Sequence, residues 1–169
     1  GEGSDSSILD GGSDHLVVEV YAVSSDKVVF NGLAIKNGDS RGMFIDSSDV
    51  EMSNILLENN DGNTYGGGGV RLSGGGTLLM VGCIVRSNTA YEGGGLYVRR
   101  GEATLIGNTF ESNTATHSGS GDDIRNNGGT VTVHGDCGAG AYSTKGAALD
   151  TSGTIGGEPI SYSCLACER

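Results

Sequence analysis

Apolar residues along this chain come in short clusters rich in β-branched side chains, bounded by Gly, Asn, Asp and Ser. Leu16 to Val20, Val28 to Phe30 and Val131 to Val133 are examples. Within many clusters, apolar and polar positions alternate, as in Val50-Glu51-Met52 and Val131-Thr132-Val133. Alternation with a period of two is the mark of a strand buried on one face. Ala, Leu, Glu and Lys never gather into a 3.6-residue apolar pattern, so no helix is predicted.

The clusters repeat. Residues 27–37, 50–60, 78–88 and 103–113 superimpose, each ending in asparagine, and these asparagines are 23, 28 and 25 residues apart. A second series follows each glycine-rich turn: Met43-Phe-Ile, Val70-Arg-Leu, Leu96-Tyr-Val and Ile124-Arg-Asn, starting 27, 26 and 28 residues apart. One unit therefore holds three short strands in about 25 residues. That is too short for a propeller blade and lacks the helix of a leucine-rich repeat. It matches one coil of a three-faced, single-stranded parallel β-helix, an all-β solenoid whose coils stack about 4.8 Å apart.

Alternation assigns the faces of each coil. In the first strand, Val50 and Met52, Leu78 and Met80, and Val131 and Val133 are expected inside, with Glu51, Leu79, Thr104 and Thr132 outside. In the second strand, Ala34, Leu57, Val85 and Phe110 are expected inside. The row one position later then reads Ile35, Glu58, Arg86, Glu111 outside, setting Arg86 between carboxylates on adjacent coils. Asn37, Asn60, Asn88 and Asn113 fall at one bend, where stacked amides can hydrogen-bond from coil to coil. In the third strand Met43 and Ile45, Val70 and Leu72, Leu96 and Val98, and Ile124 face in. Phe44, Arg71, Tyr97 and Arg125 face out. Cys83 aligns with Gly32, Ile55 and Asn108 and reads as a small buried hydrophobe.

Composition narrows the function classes. The chain has 169 residues, 32 of them glycine, and lacks the G-X-Y period of collagen. Its formal charge is −11, with ten scattered basic residues, which argues against nucleic acid as a partner. No apolar stretch approaches the roughly 20 residues of a membrane span. No signal peptide is visible, which would suit a mature chain or a fragment. The solenoid is expected over residues 1–134, followed at 135–169 by an irregular cysteine-containing segment packed on it or capping it.

The motifs GGGVRL and GGGLYV, with FESN and VRSN, resemble the GGA(I/L/V) and FxxN repeats of polymorphic outer-membrane-protein-type β-helices. The opening ILDGG…LVVEV…VVFNGLAIKNG is similar to the start of many pectate-lyase-like β-helix repeats in large surface proteins. The resemblance spans roughly residues 6 to 134. FxxN holds strictly only at Phe110–Asn113, since Ala34, Leu57 and Val85 stand in the other copies. The resemblance implies a right-handed β-helix, secretion or cell-surface display, and a role in adhesion.

The tail carries three of the four cysteines, arranged Cys137-GAGAY…Cys164-LA-Cys167. By themselves these residues leave a disulfide, free thiols and half of a zinc site all open. The arrangement resembles the start of small extracellular repeats of the C-x-x-G-x-Y…C-x-x-C type. That resemblance implies a Cys137–Cys164 disulfide, with Cys167 pairing further along.

Candidate chemistry is sparse. The outward first-strand row Glu51, Leu79, Thr104, Thr132 holds no carboxylate pair for acid–base work. Asp46, Asp49 and Glu51 cluster at one turn, and His15, His117 and His134 share no coil position. No catalytic residue and no cofactor is expected. Asn59 to Asn63 and Gly119 to Asp123 carry oxygen donors suited to calcium but short of a full ligand set, and ordinary Asn-Gly and Asp-Gly turns are the favoured account of both. The third-strand row Phe44, Arg71, Tyr97, Arg125 reads either as a ladder stacked on itself by cation–π contacts or as the candidate ligand site, since alternating aromatic and guanidinium groups also suit sugars or a protein partner. The expectation is a non-catalytic extracellular structural or adhesion module binding a polysaccharide or another surface protein. The alternative is a polysaccharide lyase or epimerase, or a catalytically dead relative. Ice or mineral binding would need Thr ranks, and only Thr104 and Thr132 align.

Overall fold

The computed structural model describes residues 7–22, 26–118, 121–135, 155–157 and 160–164, with 135, 155–157 and 160–164 described by backbone alone. All regular structure in them is β, in stacked parallel coils of about 26 residues. Each coil adds one strand to each of three sheets. The first sheet stacks Val28–Asn31, Val50–Ser53, Thr77–Val81, Glu102–Ile106, Thr130–Gly135 and Ile160–Cys164. The second stacks Ser7–Asp10, Leu33–Lys36, Leu56–Glu58, Ile84–Arg86 and Thr109–Glu111. The third stacks Val18–Tyr21, Met43–Asp46, Val70–Ser73, Leu96–Val98, Ile124–Asn126 and Ile155–Gly157. A two-stranded ladder, Thr89–Ala90 with Thr114–Ala115, runs beside the turns that lead to the third sheet.

One face of every sheet fills a shared interior. Met52 stacks on Met80, Met80 on Leu105, and Leu105 on Val133; Met43 stacks on Val70, Val70 on Leu96, and Leu96 on Ile124. All eight side chains are buried. Each fully buried Leu, Val, Met or Phe contributes about 1.5–3 kcal/mol, and stacking equivalent residues extends one core along the axis.

Both ends of the second-sheet strands turn through a residue in the left-handed region. Before the strand stand Gly32, Asn54, Gly82 and Gly107, with φ from 54° to 66°. After it stand Asn37, Asn59, Ser87 and Ser112, with φ from 54° to 56°. Gly and Asn tolerate this conformation best, which explains their recurrence at the first corner. The next residue along points inward.

This second corner corrects the register expected for the first coil. Ala34 pairs with Leu56 and Ile35 with Leu57, so Ile35, expected outside, is fully buried. Lys36 takes the outward place, and its Nζ lies 2.7 Å from Glu58. Arg86 lies between Glu58 at 2.6 Å and Glu111 at 3.8 Å. Asn37 occupies the left-handed bend itself rather than the inward position, which belongs to Gly38. Cys83 likewise aligns with Leu33 rather than Gly32.

The inward ladder is therefore Asn60, Asn88 and Asn113. Asn88 Oδ1 accepts from both the backbone N–H and Nδ2 of Asn60, each at 3.0 Å. Asn113 Oδ1 accepts from the N–H and Nδ2 of Asn88 at 3.1 and 3.0 Å. The amides also donate to the Ile35, Leu57 and Val85 carbonyls. Asp123 closes the far end, accepting from Asn113 Nδ2 at 2.9 Å. At the other end the Gly38 N–H donates to Asn60 Oδ1 at 3.0 Å, while Asn37 Nδ2 donates to Asp10 on the surface. Asn108 makes a similar contact at the first corner, accepting from Cys83 N–H at 2.8 Å.

Strands also lie beyond residue 134, where the sequence reading ended the solenoid. Ile160–Cys164 pairs in parallel with Thr130–Gly135, and Ile155–Gly157 with Ile124–Asn126. The Gly- and Ala-rich 136–154 stretch separating them hides this coil from a search for apolar periodicity. Cys137 and Cys167 lie outside the described residues. Cys164 is the last residue of its strand, opposite Gly135.

Candidate functional site

The outer face of the third sheet carries one row in strict register. Glu19 pairs with Phe44, Phe44 with Arg71, Arg71 with Tyr97, and Tyr97 with Arg125. Their inward neighbours Met43, Ile45, Val70, Leu72, Leu96 and Val98 are all buried, so alternation leaves these five side chains on the outside. The four residues expected from sequence as a ladder are thus neighbours on successive coils.

They do not form an open strip. Tyr97 is only 5 % exposed. Its ring lies on the Gly66 backbone so closely that a Cβ there would come within 2.4 Å of Tyr97 Cδ2, so only glycine fits. Tyr97 Oη accepts a hydrogen bond from Asn127 Nδ2 at 2.7 Å, and the Arg71 guanidinium covers the ring at 5.0 Å. Arg125 reaches Glu92, in the turn before the third sheet, at 3.7 Å. Tyr97 and Arg125 are therefore largely engaged within the protein.

The turn leading into the third sheet adds two groups that alternation could not assign. Arg41 sets its guanidinium carbon 5.3 Å from the Phe44 ring centre and 4.8 Å from that of Tyr65. Tyr65 is 56 % exposed. It begins a rank spaced by 26 residues: the Tyr91 N–H donates to the Tyr65 carbonyl and the His117 N–H to the Tyr91 carbonyl, each at 3.0 Å. The Tyr91 and His117 rings stack 4.7 Å apart. The equal spacing of positions 65, 91 and 117 was the available signal, obscured because His and Tyr differ and the flanking turns are glycine.

Electrostatically the face stands apart from the rest of an acidic protein. Burial holds the Arg41 guanidinium below the ordinary arginine range and the Arg71 charge adds to this, with Tyr65 and Glu19 opposing. Burial does the same to Arg71, opposed first by Tyr97, reinforced by Arg99 and opposed again by Asp46 and Glu92. Neither Arg41 nor Arg71 forms an ion pair among the described residues. Several acids bond to groups beside them. Glu51 pairs with Lys27, and Glu58 with Lys36 and Arg86. Asp46 accepts from Ser47 Oγ, and Asp49 from both the N–H and the hydroxyl of Thr77 on the next coil.

The oxygen donors considered for calcium are used in turns. Asp61 Oδ1 accepts the Asn63 N–H at 2.7 Å, and Asn63 Nδ2 donates to Asp39. Asp122 accepts the Ala115 N–H at 2.8 Å, and Gly119 lies outside the described residues. Cys83 is buried, and desolvation pushes its thiol pKa up. A raised pKa keeps the thiol protonated and poorly nucleophilic.

Comparison with known proteins agrees with this architecture. No curated protein and no solved structure matches the chain. The family model described as "Right handed beta helix region" matches residues 17–152, most of the sequence. The chain belongs to the right-handed β-helix family.

Proposed function

We propose that this domain is a non-catalytic module of a secreted or cell-surface protein, binding a glycan on the outer face of its third sheet. The observation that carries the reading is the concentration there of Arg41, Phe44, Tyr65 and Arg71, with two arginines left without a carboxylate partner among the described residues. Aromatic rings offer sugars apolar area, and guanidinium groups offer paired N–H donors. The similarity of GGGVRL, GGGLYV and FESN to outer-membrane-protein-type repeats supports surface display. The similarity of the Cys137–Cys164–Cys167 arrangement to extracellular cysteine-rich repeats supports an oxidising compartment.

A lyase or epimerase would need ionisable groups converging on one sugar. Glu51, Glu58 and Asp49 instead bond to neighbouring coils and Asp46 to Ser47 beside it, which favours the binding reading. A glycan array probed with the wild-type chain and with Arg71→Ala tests it. Binding that disappears in the variant supports it. A blank array with folded protein, or turnover of a polysaccharide, overturns it.

A further inference from the structure

We infer that Arg41 and Arg71 together hold one anionic oxygen group, the carboxylate or sulfate of an acidic sugar, beside the Tyr65 ring. This deepens the glycan reading and rests on it.

The strongest sign is Arg41. Its Nε is buried without a hydrogen-bond partner among the described residues, as is that of Arg125, but Arg125 has the Glu92 carboxylate at 3.7 Å and Arg41 has no ion pair there. The Phe44 and Tyr65 rings, at 5.3 and 4.8 Å, satisfy the charge through their faces. A ring face leaves unmet the N–H donors that lie in the guanidinium plane, and a buried donor normally has an acceptor. An oxyanion supplies two or three acceptor atoms and matches the guanidinium fork.

Backbone geometry adds an independent sign. Arg41 has φ of 116°, a conformation that a side chain makes costly. Glycine would be the relaxed residue here, and glycine occupies the next position, Gly42, and the nearby Gly38. A strained arginine in a turn so rich in glycine is what a positioned ligand-binding side chain would require.

Arg71 is the second half of the site. It stands next to Phe44 on the adjacent coil, and Phe44 is one of the two rings flanking Arg41. Its charge acts on Arg41 in a protein of net charge −11. Glu19, Asp46 and Glu92 act on these arginines only at longer range and form no ion pair with them. Two poorly hydrated cations held near each other repel, and one anion between them would relieve both. Tyr65, itself exposed, then borders the place where the sugar carrying that anion would lie.

Isothermal titration calorimetry on the whole chain tests this with four probes: an alginate hexasaccharide, a carrageenan hexasaccharide, a neutral β-glucan of the same length, and sodium sulfate. At least one acidic oligosaccharide should bind, the neutral one should be weaker by about tenfold or more, and added salt should weaken binding. Arg41→Gly and Arg71→Gln should each weaken acidic binding by about tenfold or more, and Arg71→Lys by less, since it keeps charge but not the fork. Circular dichroism confirms that each variant is folded, and Arg41→Gly removes the strained conformation, so loss of fold is not its expected effect. Equal affinity for the neutral glucan, or wild-type affinity in both variants, overturns the anion site while leaving the glycan reading intact. Arginine-dependent binding of sulfate alone supports the anion site and overturns the glycan reading.

Discussion

Asn88 is the middle rung of the buried amide ladder, and replacing it by alanine tests the register and the energetics together. The substitution deletes four hydrogen bonds: to the Leu57 carbonyl, to Asn113 Oδ1, and from the N–H and Nδ2 of Asn60, all at 3.0 Å. Asn60 Nδ2 keeps the Ile35 carbonyl, and Asn113 Oδ1 keeps the Asn88 N–H. The Asn60 N–H, however, loses its acceptor in a buried corner. An orphaned buried donor costs about 1–3 kcal/mol, and each of the other three bonds contributes about 0.5–1.5 kcal/mol net, giving a loss of about 2.5–7.5 kcal/mol. A domain with a total stability of about 5–15 kcal/mol would lose much or all of it. Asn37→Gly is the matched control, because Asn37 bonds only the exposed Asp10 carboxylate with its side chain and its φ of 56° suits glycine. It should cost less than about 1 kcal/mol. Urea denaturation followed by circular dichroism measures both. Equal losses in the two variants, or a loss below about 1 kcal/mol for Asn88→Ala, would refute the argument.

Three further outcomes are expected. Leu105→Asp puts an unpaired carboxylate at a position 1 % exposed, costing several kcal/mol; a cooperative wild-type-like melt would contradict the stacked core. The hydrogen bond from Lys36, and then Arg86, hold Glu58 below the ordinary value of 4.5 against the opposing effect of burial. Its folded-state pKa is depressed, so its stabilisation is complete above about pH 5 and fades as pH falls through the folded value. Denaturant midpoints of Glu58→Gln should therefore fall less than wild type between about pH 5 and 3, and parallel curves would count against the triad. Mass spectrometry without reductant, on protein from an oxidising host, should find Cys137 linked to Cys164; two free thiols there would weigh against the extracellular proposal.

Alternation and repeat length were enough to read strands, three faces and parallel coils from the chain, because in a solenoid each residue meets its counterpart one repeat away. That locality made Met52, Met80 and Val133 legible as one stack, and Phe44, Arg71, Tyr97 and Arg125 as another. Register at the first coil was not legible, because asparagine suits both places at the corner: the left-handed bend held by Asn37 and Asn59, and the inward amide position held by Asn60, Asn88 and Asn113. Only the pairing of Ile35 with Leu57 distinguishes them. The site depended on tertiary structure for a similar reason. Arg41, Tyr65 and Gly66 lie in turns of irregular length, where no period says what meets what. The stacking of the coils set Arg41 between Phe44 and Tyr65 and closed Gly66 over Tyr97. Periodic residues met their partners by repetition, and turn residues met theirs only once the coils were stacked.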